Sequence, residues 1–424
     1  TAPAAADSDR RPRSALSCNR NSQCLDAFFS SLEPVEVSHR TVRIAYYSDS
    51  MINGGTLTGS LRRLFQKRFG GRGLGWIPPA SHPAVLQKPG VEIVSRGWKV
   101  QTIVGPWNRY ARYGVGGILA TIYGDRGSTT VKLKRPIKNI VLTVGFIRRR
   151  YGGRFHINIP GMNEVSLSTR GRGWTPDFFH LHVKGPLRQF TITSTSGGFV
   201  TLTGFSLEGA QKKGTRIDGM GLIGTRFIHH TRRDPGHWHR ALALWRPSLL
   251  VFHLGSNDHP HDLTAARHRA IVTMLRNFPC LGRTCSCLLI GVMERVSHVD
   301  SAIYRTTPLT HRLRSFYRSI AASAGCGFFD SFSAMGGERS SISWYRSSPR
   351  LLYGDLVHLT PLGGGRFARL LMGALMSRYD AYRKRIARSR FGAWAVRLKG
   401  RGFLGMSHLT FHPVQGSIIH WNTR

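Results

Sequence analysis

An α/β domain with a parallel sheet, interrupted by an antiparallel β-sandwich, is the architecture this 424-residue chain predicts. Two textures carry the prediction. Toward both ends, apolar strand-like runs alternate with helix-length amphipathic runs, a pattern that implies a parallel sheet with right-handed crossovers. Between them, over 90–209, short segments alternate with period two, are punctuated by Gly, Pro and Asn, and contain no helix-length pattern. The length itself exceeds one ordinary core and favours two domains or slightly more.

Taken in order, residues 1–36 read as a polar Ala/Arg/Ser-rich arm ending in a short helix, CLDAFFSSL. TVRIAYY (41–47) reads as a buried strand. After the turn SDSMINGG, Leu57, Leu61, Leu64 and Phe65 recur at helical spacing. The sandwich strands follow: ILATIY, TVKLK, NIVLTVGFI, RFHINI, EVSLS, FHLHV, QFTITS and FVTLTGFSL. From 211 the α/β texture returns. LLVFHLG, CLLIGVM and GFFDSF read as strands; LTAARHRAIVTMLRNF and PLTHRLRSFYRSIAASAG read as helices. Thr360 caps a last helix with Pro361 at its first position. The expected organisation is an arm over 1–36, a discontinuous α/β domain over 37–89 and 210–380, an insertion over 90–209, and a basic extension over 381–424. That extension holds nine Lys/Arg and no acid, but also Phe391, Trp394, Phe403 and Trp421, so docking is as open to it as floating.

Lys and Arg number 61 against 21 Asp and Glu, a net charge of +40. One consequence is a strongly solvated surface. The other is contact with a polyanion (nucleic acid, anionic glycan, teichoic-type polymer or acidic lipid), because self-repulsion on this scale opposes compaction unless something offsets it. No apolar run approaches the roughly 20 residues of a membrane-spanning helix. The start TAPAAADSDRRPRS has no charged-then-apolar leader, so any signal peptide is expected to have been removed.

The six cysteines suit disulfides in an oxidising compartment better than zinc, since the CxC at 285–287 lacks paired CxxC spacing. Cys18 with Cys24 and Cys280 with Cys285 are local pairs. Cys287 and Cys326 read either as a third bridge or as buried thiols. His229, His230, His237 and His239 crowd HHTRRDPGHWH, but with no acidic partner nearby except Asp234 no metal is expected there.

Chemistry concentrates in segments that each follow a strand. Ser48-Asp49-Ser50 opens the first helix, where helix-end amides can stabilise a developing anion; taken alone, the pair would simply cap that helix. Gly221-Leu222-Ile223-Gly224 allows a backbone N–H close approach to a ligand. LGSND places Asn257 at the carboxyl edge of the sheet, where α/β proteins bind ligands. GDLVHLTP sets Asp355 three residues before His358, a base beside an orienting carboxylate. Each fragment alone could be ordinary loop polarity; their order, each at a strand end, is what selects the chemistry.

YYSDSMINGG, GLIGT, GSND and DLVH together resemble the blocks of the SGNH/GDSL hydrolases, over roughly 41–75 and 211–378. The resemblance implies a three-layer α/β domain with Ser50 as nucleophile, His358 as base and Asp355 orienting it. Gly224 and Asn257, with the Ser50 amide, would form the oxyanion hole. Ser48 departs from the pattern, standing where the family has glycine, and is expected to tighten or reshape the site. An SGNH domain split after its first block by a sandwich resembles the peptidoglycan O-acetylesterases, whose inserted module looks carbohydrate-binding. SRGWKVQTIVGP, RYGVGG and FSLEG carry that looser likeness. Trp98, Trp107, Tyr110, Tyr113 and Trp174 are its candidate sugar-stacking faces, each equally readable as sandwich core.

The function expected is therefore that of a secreted, periplasmic or cell-surface serine esterase. It removes O-acetyl groups from an acetylated, anionic polysaccharide and needs neither metal nor organic cofactor. The competing expectation is a binding or structural protein that uses the same scaffold to coat a polyanion, with a lipase or thioesterase as a third possibility.

Overall fold

The computed structural model describes residues 15–18, 23–37, 41–195, 197–211, 213–300 and 303–399. It divides into two units, Thr1–Met376 and Ser377–Arg424. In the first, a six-stranded sheet runs in the order Leu16–Ser17, Gly327–Phe329, Ser286–Ile290, Leu249–His253, Thr41–Ser48, Gly214–Gly221. Every neighbouring pair is parallel except the first, where Leu16–Ser17 lies antiparallel on the edge. The strands are buried on both faces, as the apolar runs anticipate for a sheet covered on both sides.

Successive side chains point to opposite faces. Tyr47 and Phe252 stack on one face, in a cluster with Trp238, Leu242, Leu275, Leu313 and Ile320 from helices Pro235–Trp245, Ala265–Arg276 and Pro308–Ala324. Tyr46 and His253 turn to the other face, where His253 stacks on Phe367 of the helix Pro361–Lys399 and helix Thr56–Phe69 packs against Gly214–Gly221. The result is a helix–sheet–helix sandwich. The predicted arm is partly integral to it: besides the edge strand Leu16–Ser17, helix Asp26–Val37 buries Phe28 and Leu32, and the Phe28 amide donates to Ser286 Oγ at 3.2 Å.

Cys18–Cys24, Cys280–Cys285 and Cys287–Cys326 are all bridged. The last pair forms because the parallel register of Leu288 with Gly327 brings the preceding residues, Cys287 and Cys326, to a Cα separation of 4.9 Å. Such bridges persist in oxidising compartments, as expected of a secreted protein. Among the described residues no helix is long and apolar enough to cross a membrane.

The insertion is a β-sandwich of two antiparallel sheets. One is ordered Val165–Ser168, Arg154–Asn158, Leu187–Ser194, Ser128–Ile137, Val91–Arg96; the other Thr175–Val183, Ile140–Arg148, Phe199–Gly209, Ile118–Tyr123, Lys99–Thr102. Inward positions such as Val131, Val144, Phe146, Phe155, Phe190 and Phe205 fill the space between them. Gly73–Ile77, which lies ahead of the expected boundary at 90, pairs with Phe199–Gly209 and so joins the second sheet. It wedges beside the α/β sheet so closely that a Cβ on Gly75 (φ +69°) would lie 2.4 Å from the Ile217 carbonyl oxygen. A glycine-rich strand gives no period-two signal, so the sequence does not announce it.

Charges rivet the two sheets. Arg43 pairs with Asp218 at 2.7 Å and with Glu208 at 2.6 Å, and Glu208 also takes Arg216. Asp218 accepts from the Trp76 amide and from Trp245 Nε1, each at 2.9 Å. These buried carboxylates thereby keep partners on both sides of the seam. The closing helix runs past the expected end of the α/β domain, from Pro361 to Lys399. Residues 1–14 and 400–424 lie outside the described residues, as do the side chains of Phe391 and Trp394.

Candidate active site

The sheet register builds the site. Ser48 stands level with Gly221 on one neighbouring strand and with His253 on the other. The residues that leave these strand ends, Asp49-Ser50, Leu222–Gly224 and Leu254–Asn257, therefore emerge side by side at the carboxyl edge. Ser50 begins a short 3-10 turn whose cap, Asp49, accepts the Met51 amide at 3.0 Å.

The second half arrives from the loop before the last helix. Asp355 Oδ1 accepts the Val357 and His358 amides, each at 2.9 Å, which fixes the carboxylate plane. Its Oδ2 lies 2.6 Å from His358 Nδ1, and His358 Nε2 lies 2.9 Å from Ser50 Oγ. Partial burial pushes the Asp355 pKa up, but hydrogen bonds from the His358 ring and from the two amides outweigh it and hold it below the usual carboxylate range. Thr360 Oγ1 takes the Gly363 amide at 3.1 Å, the cap expected there. A Cβ on Gly364 would lie 2.7 Å from the Thr56 carbonyl carbon, so the helix following His358 and the helix following Ser50 start in backbone contact.

Gly224 has φ +75°, a left-handed conformation that suits glycine. Asn257 Nδ2 donates to Asp49 Oδ2 at 3.1 Å and to the Thr225 carbonyl at 3.3 Å, tying three strand ends together. Asp49 is fully buried; burial drives its pKa up to about 7, with the negative charge of Asp258 adding and the Met51 amide opposing. Asp49 was legible only as a helix cap, and its link to Asn257 has no signature in sequence. Ser48 does not crowd Ser50 by way of its hydroxyl, which donates to the His253 carbonyl at 2.9 Å. The substitution for glycine thus adds a cross-strand bond.

A cleft of about 810 Å³ adjoins Gly224 and Asn257. Arg226, Arg232 and Arg295 line it, with Val104 from the insertion. Arg226 is committed to Asp262 at 3.1 Å and Arg295 to the Ser256 carbonyl at 2.9 Å; the Arg232 guanidinium has no partner among the described residues. These arginines come from separate segments, and no local pattern announces them. Ser50, Asp355 and His358 line neither this cleft nor a smaller one of about 320 Å³ lined by Arg62 and Lys88; the larger one is tied to the site through Gly224 and Asn257.

The candidate stacking aromatics separate into two groups. Trp107 and Tyr110 are exposed on the loop that carries Val104, and Trp174 is exposed at one end of the sandwich. Trp98 instead packs half-buried against the sandwich core, and Tyr113 is buried with Ile103 and Leu119, so neither offers a free ring face. Period-two alternation does not distinguish an inward tryptophan from a half-turned one. In the histidine-rich segment, His229 takes the Arg226 amide on Nδ1 at 3.2 Å, while His230 sits among Tyr47, Trp238 and Phe252. Burial lowers the pKa of both rings.

No protein-family model and no curated protein matches the chain. Among solved structures, one described as "Peptidoglycan O-acetylesterase in action, 5 min" aligns with a TM-score of 0.72 at 21% identity, over 87% of this chain and 99% of that one. A family two carbohydrate esterase from Cellvibrio japonicus aligns with a TM-score of 0.27 at 11% identity, over 68% of this chain and 98% of that one. An acetyl xylan esterase aligns at 0.28 and 16%, over 38% and 81%. The last two are too distant to carry an argument. At 0.72 over nearly the whole of both chains, this chain has the fold of the O-acetylesterase: an SGNH-type α/β domain interrupted by a β-sandwich.

Proposed function

We propose that the chain is a serine esterase that removes O-acetyl groups from a cell-envelope or extracellular polysaccharide, acting in the periplasm or at the cell surface. The observation that carries the reading is the continuous relay from Asp355 Oδ2 to His358 Nδ1, at 2.6 Å, and from His358 Nε2 to Ser50 Oγ, at 2.9 Å. These are the distances over which a base accepts a serine proton. The likeness to a peptidoglycan O-acetylesterase supports the choice of ester.

In this mechanism His358 Nε2 takes the Ser50 proton as Oγ bonds to the acetyl carbonyl carbon. The carbonyl oxygen becomes an oxyanion, held by the Ser50 and Gly224 amides and by Asn257 Nδ2. Both Nδ2 hydrogens have acceptors at rest, and the longer contact, 3.3 Å to Thr225, is the one a full oxyanion charge displaces at less cost. Collapse breaks the bond to the sugar oxygen, which leaves with the proton from His358. Water, deprotonated by His358, then attacks acetyl-Ser50 and releases acetate. Asp355 remains ionised and stabilises the imidazolium in both halves.

The polysaccharide is proposed to be anionic. Arg232, which has no partner for its guanidinium among the described residues and lies beside Gly224 and Asn257, offers a planar fork for a carboxylate on the sugar that carries the ester. Acetate release from acetylated acidic polysaccharide, alongside turnover of nitrophenyl acetate and butyrate, tests the reading. Ser50→Ala should reduce both activities by several orders of magnitude while the chain stays folded. Retention of most activity by that variant, or faster turnover of long acyl chains than of acetyl, overturns it.

A further inference from the structure

The smaller cleft, of about 320 Å³, belongs to the α/β domain and takes no part in the ester chemistry. Helix Thr56–Phe69, strands Gly73–Ile77 and Gly214–Gly221, and the segment 85–89 enclose it. Three cationic side chains line it, Arg62, Arg63 and Lys88, and no carboxylate does. Asp218 is the acid whose charge reaches both Arg62 and Lys88, but it is already taken. Arg43 pairs with it at 2.7 Å, and the Trp76 amide and Trp245 Nε1 each donate to it at 2.9 Å.

Two of the cations are held in place by backbone. Lys88 Nζ donates to the Trp76 carbonyl at 2.6 Å, and Arg62 Nε donates to the Ile217 carbonyl at 3.3 Å. The Arg62 Nη groups and the other Lys88 protons have no acceptor among the described residues. Burial, and after it the positive charge of Arg62, hold the Lys88 pKa well below the usual lysine range, so the pair lacks a counter-ion. The walls are set before any ligand arrives. The Gln87 amide donates to Asn53 Oδ1 at 3.0 Å, and a Cβ on Gly55 would lie 2.9 Å from Pro89 Cδ, which fastens the segment carrying Lys88 to the turn that begins at Ser50. Pro78, Val85, Leu86 and Pro89 give the rest of the cleft an apolar surface.

We propose that this cleft binds a phosphate monoester with a compact apolar body. The dianionic head lies between Arg62 and Lys88, where a guanidinium fork matches two phosphate oxygens and the ammonium neutralises a third. The body lies on Leu86 and Pro89. A carboxylate would bring one charge to two cations, and a monatomic ion would leave most of the roughly 320 Å³ unfilled. The cleft shares no lining residue with the one beside Gly224 and Asn257, and the proposal does not depend on the esterase reading.

The test is isothermal titration of the full chain with phenyl phosphate, inorganic phosphate and benzyl alcohol, in about 0.15 M salt so that exposed charges are screened beyond about 8 Å. Phenyl phosphate should bind about tenfold more tightly than inorganic phosphate, because its ring leaves water for the apolar wall, and benzyl alcohol should not bind measurably. Arg62→Gln should weaken phenyl phosphate by about tenfold or more, as should Lys88→Met, whereas Arg188→Ala, which removes an equal charge from the exposed face of the sandwich, should change affinity less than about twofold. Leu86→Ala should cost phenyl phosphate more than it costs inorganic phosphate. Lys88 also holds the Trp76 carbonyl, so Arg62→Gln decides the matter if Lys88→Met does not fold. Unchanged affinity in Arg62→Gln overturns the site. Equal affinity for the two phosphates overturns the apolar body, and a loss in Arg232→Ala without one in Arg62→Gln would place the phosphate in the catalytic cleft instead.

Discussion

Asn257 Nδ2 lies 3.1 Å from Asp49 Oδ2, so the side chain proposed to hold the oxyanion is anchored by the residue that precedes the proposed nucleophile. The anchor is itself titratable, with burial placing its pKa at about 7. A buried acid whose folded pKa exceeds its unfolded value, 3.8, binds more protons folded than unfolded between those limits. Its contribution to stability is full below about pH 4 and is lost as pH rises through about 7.

The first prediction follows from that sign. Asp49→Asn, neutral throughout, should gain on the wild type as pH rises from about 4 to 8, by a few kcal/mol at most. Denaturant unfolding at several pH values measures it. Parallel stability curves for the two proteins would show that Asp49 ionises as freely folded as unfolded.

The second concerns the donor itself. Asn257→Ala should lower kcat for nitrophenyl acetate by about 10²–10³ with little change in KM, the usual consequence of removing one oxyanion donor. A loss confined to KM would place Asn257 in ground-state binding and would require another group on the oxyanion.

The third uses the contact that joins the two halves of the relay. A Cβ on Gly364 meets the backbone of Thr56 and Leu57 at 2.7–2.9 Å, which no side-chain rotation can relieve, whereas one on Gly373 meets nothing within 4 Å. Gly364→Ala should therefore destabilise by about 1–3 kcal/mol and reduce kcat by displacing His358 from Ser50. Gly373→Ala should stabilise by about 0.5–1 kcal/mol, the ordinary gain of alanine over glycine inside a helix. Thermal unfolding of the pair, with kcat for each, decides it; equal effects of the two substitutions would contradict the packing argument.

What was legible in the sequence was what depends on local pattern. The strands Thr41–Ser48, Leu249–His253 and Ser286–Ile290 are short, strongly apolar runs, and Ser50 and Asn257 stand just past the ends of the first two; Asp355 and His358, expected at a strand end as well, instead lie in the loop between helix Ser340–Arg346 and helix Pro361–Lys399, and only the local DLVH pattern marks them. Leu16–Ser17 is too short, and Gly73–Ile77 too rich in glycine, to show a period. The bond between Asp49 and Asn257 spans 208 residues, and Arg226, Arg232 and Arg295 meet only through the fold. Relationships of that kind leave no mark in any short window, however strong they are in space. The length of the closing helix is hidden for a different reason: its basic stretch beyond 380 has the composition of a tail, although DAYRKRIARSRFGAWAVRLK continues the helix that Pro361 begins.

That helix changes how the excess charge should be probed. Cutting at 381 would sever a continuous helix, so the informative deletion removes only 400–424. The fourth prediction compares two substrates as salt rises. Screening shortens the reach of an exposed charge from about 10 Å at 0.1 M to about 3 Å at 1 M ionic strength. Turnover of acetylated acidic polysaccharide should fall steeply over that range, while nitrophenyl acetate, which is neutral and small, should be turned over at a nearly constant rate. The Arg232 guanidinium beside Gly224 and Asn257 assigns part of that slope to the cleft, so Arg232→Ala should flatten the response for the polymer by raising its KM without lowering kcat for the small ester. Deleting 400–424 should flatten it further only if the last residues contribute to capture. The same salt response for both substrates would separate the charge of +40 from catalysis altogether, and would leave Arg226 and Arg295, in the cleft beside Asn257, with a structural role in holding Asp262 and the Ser256 loop.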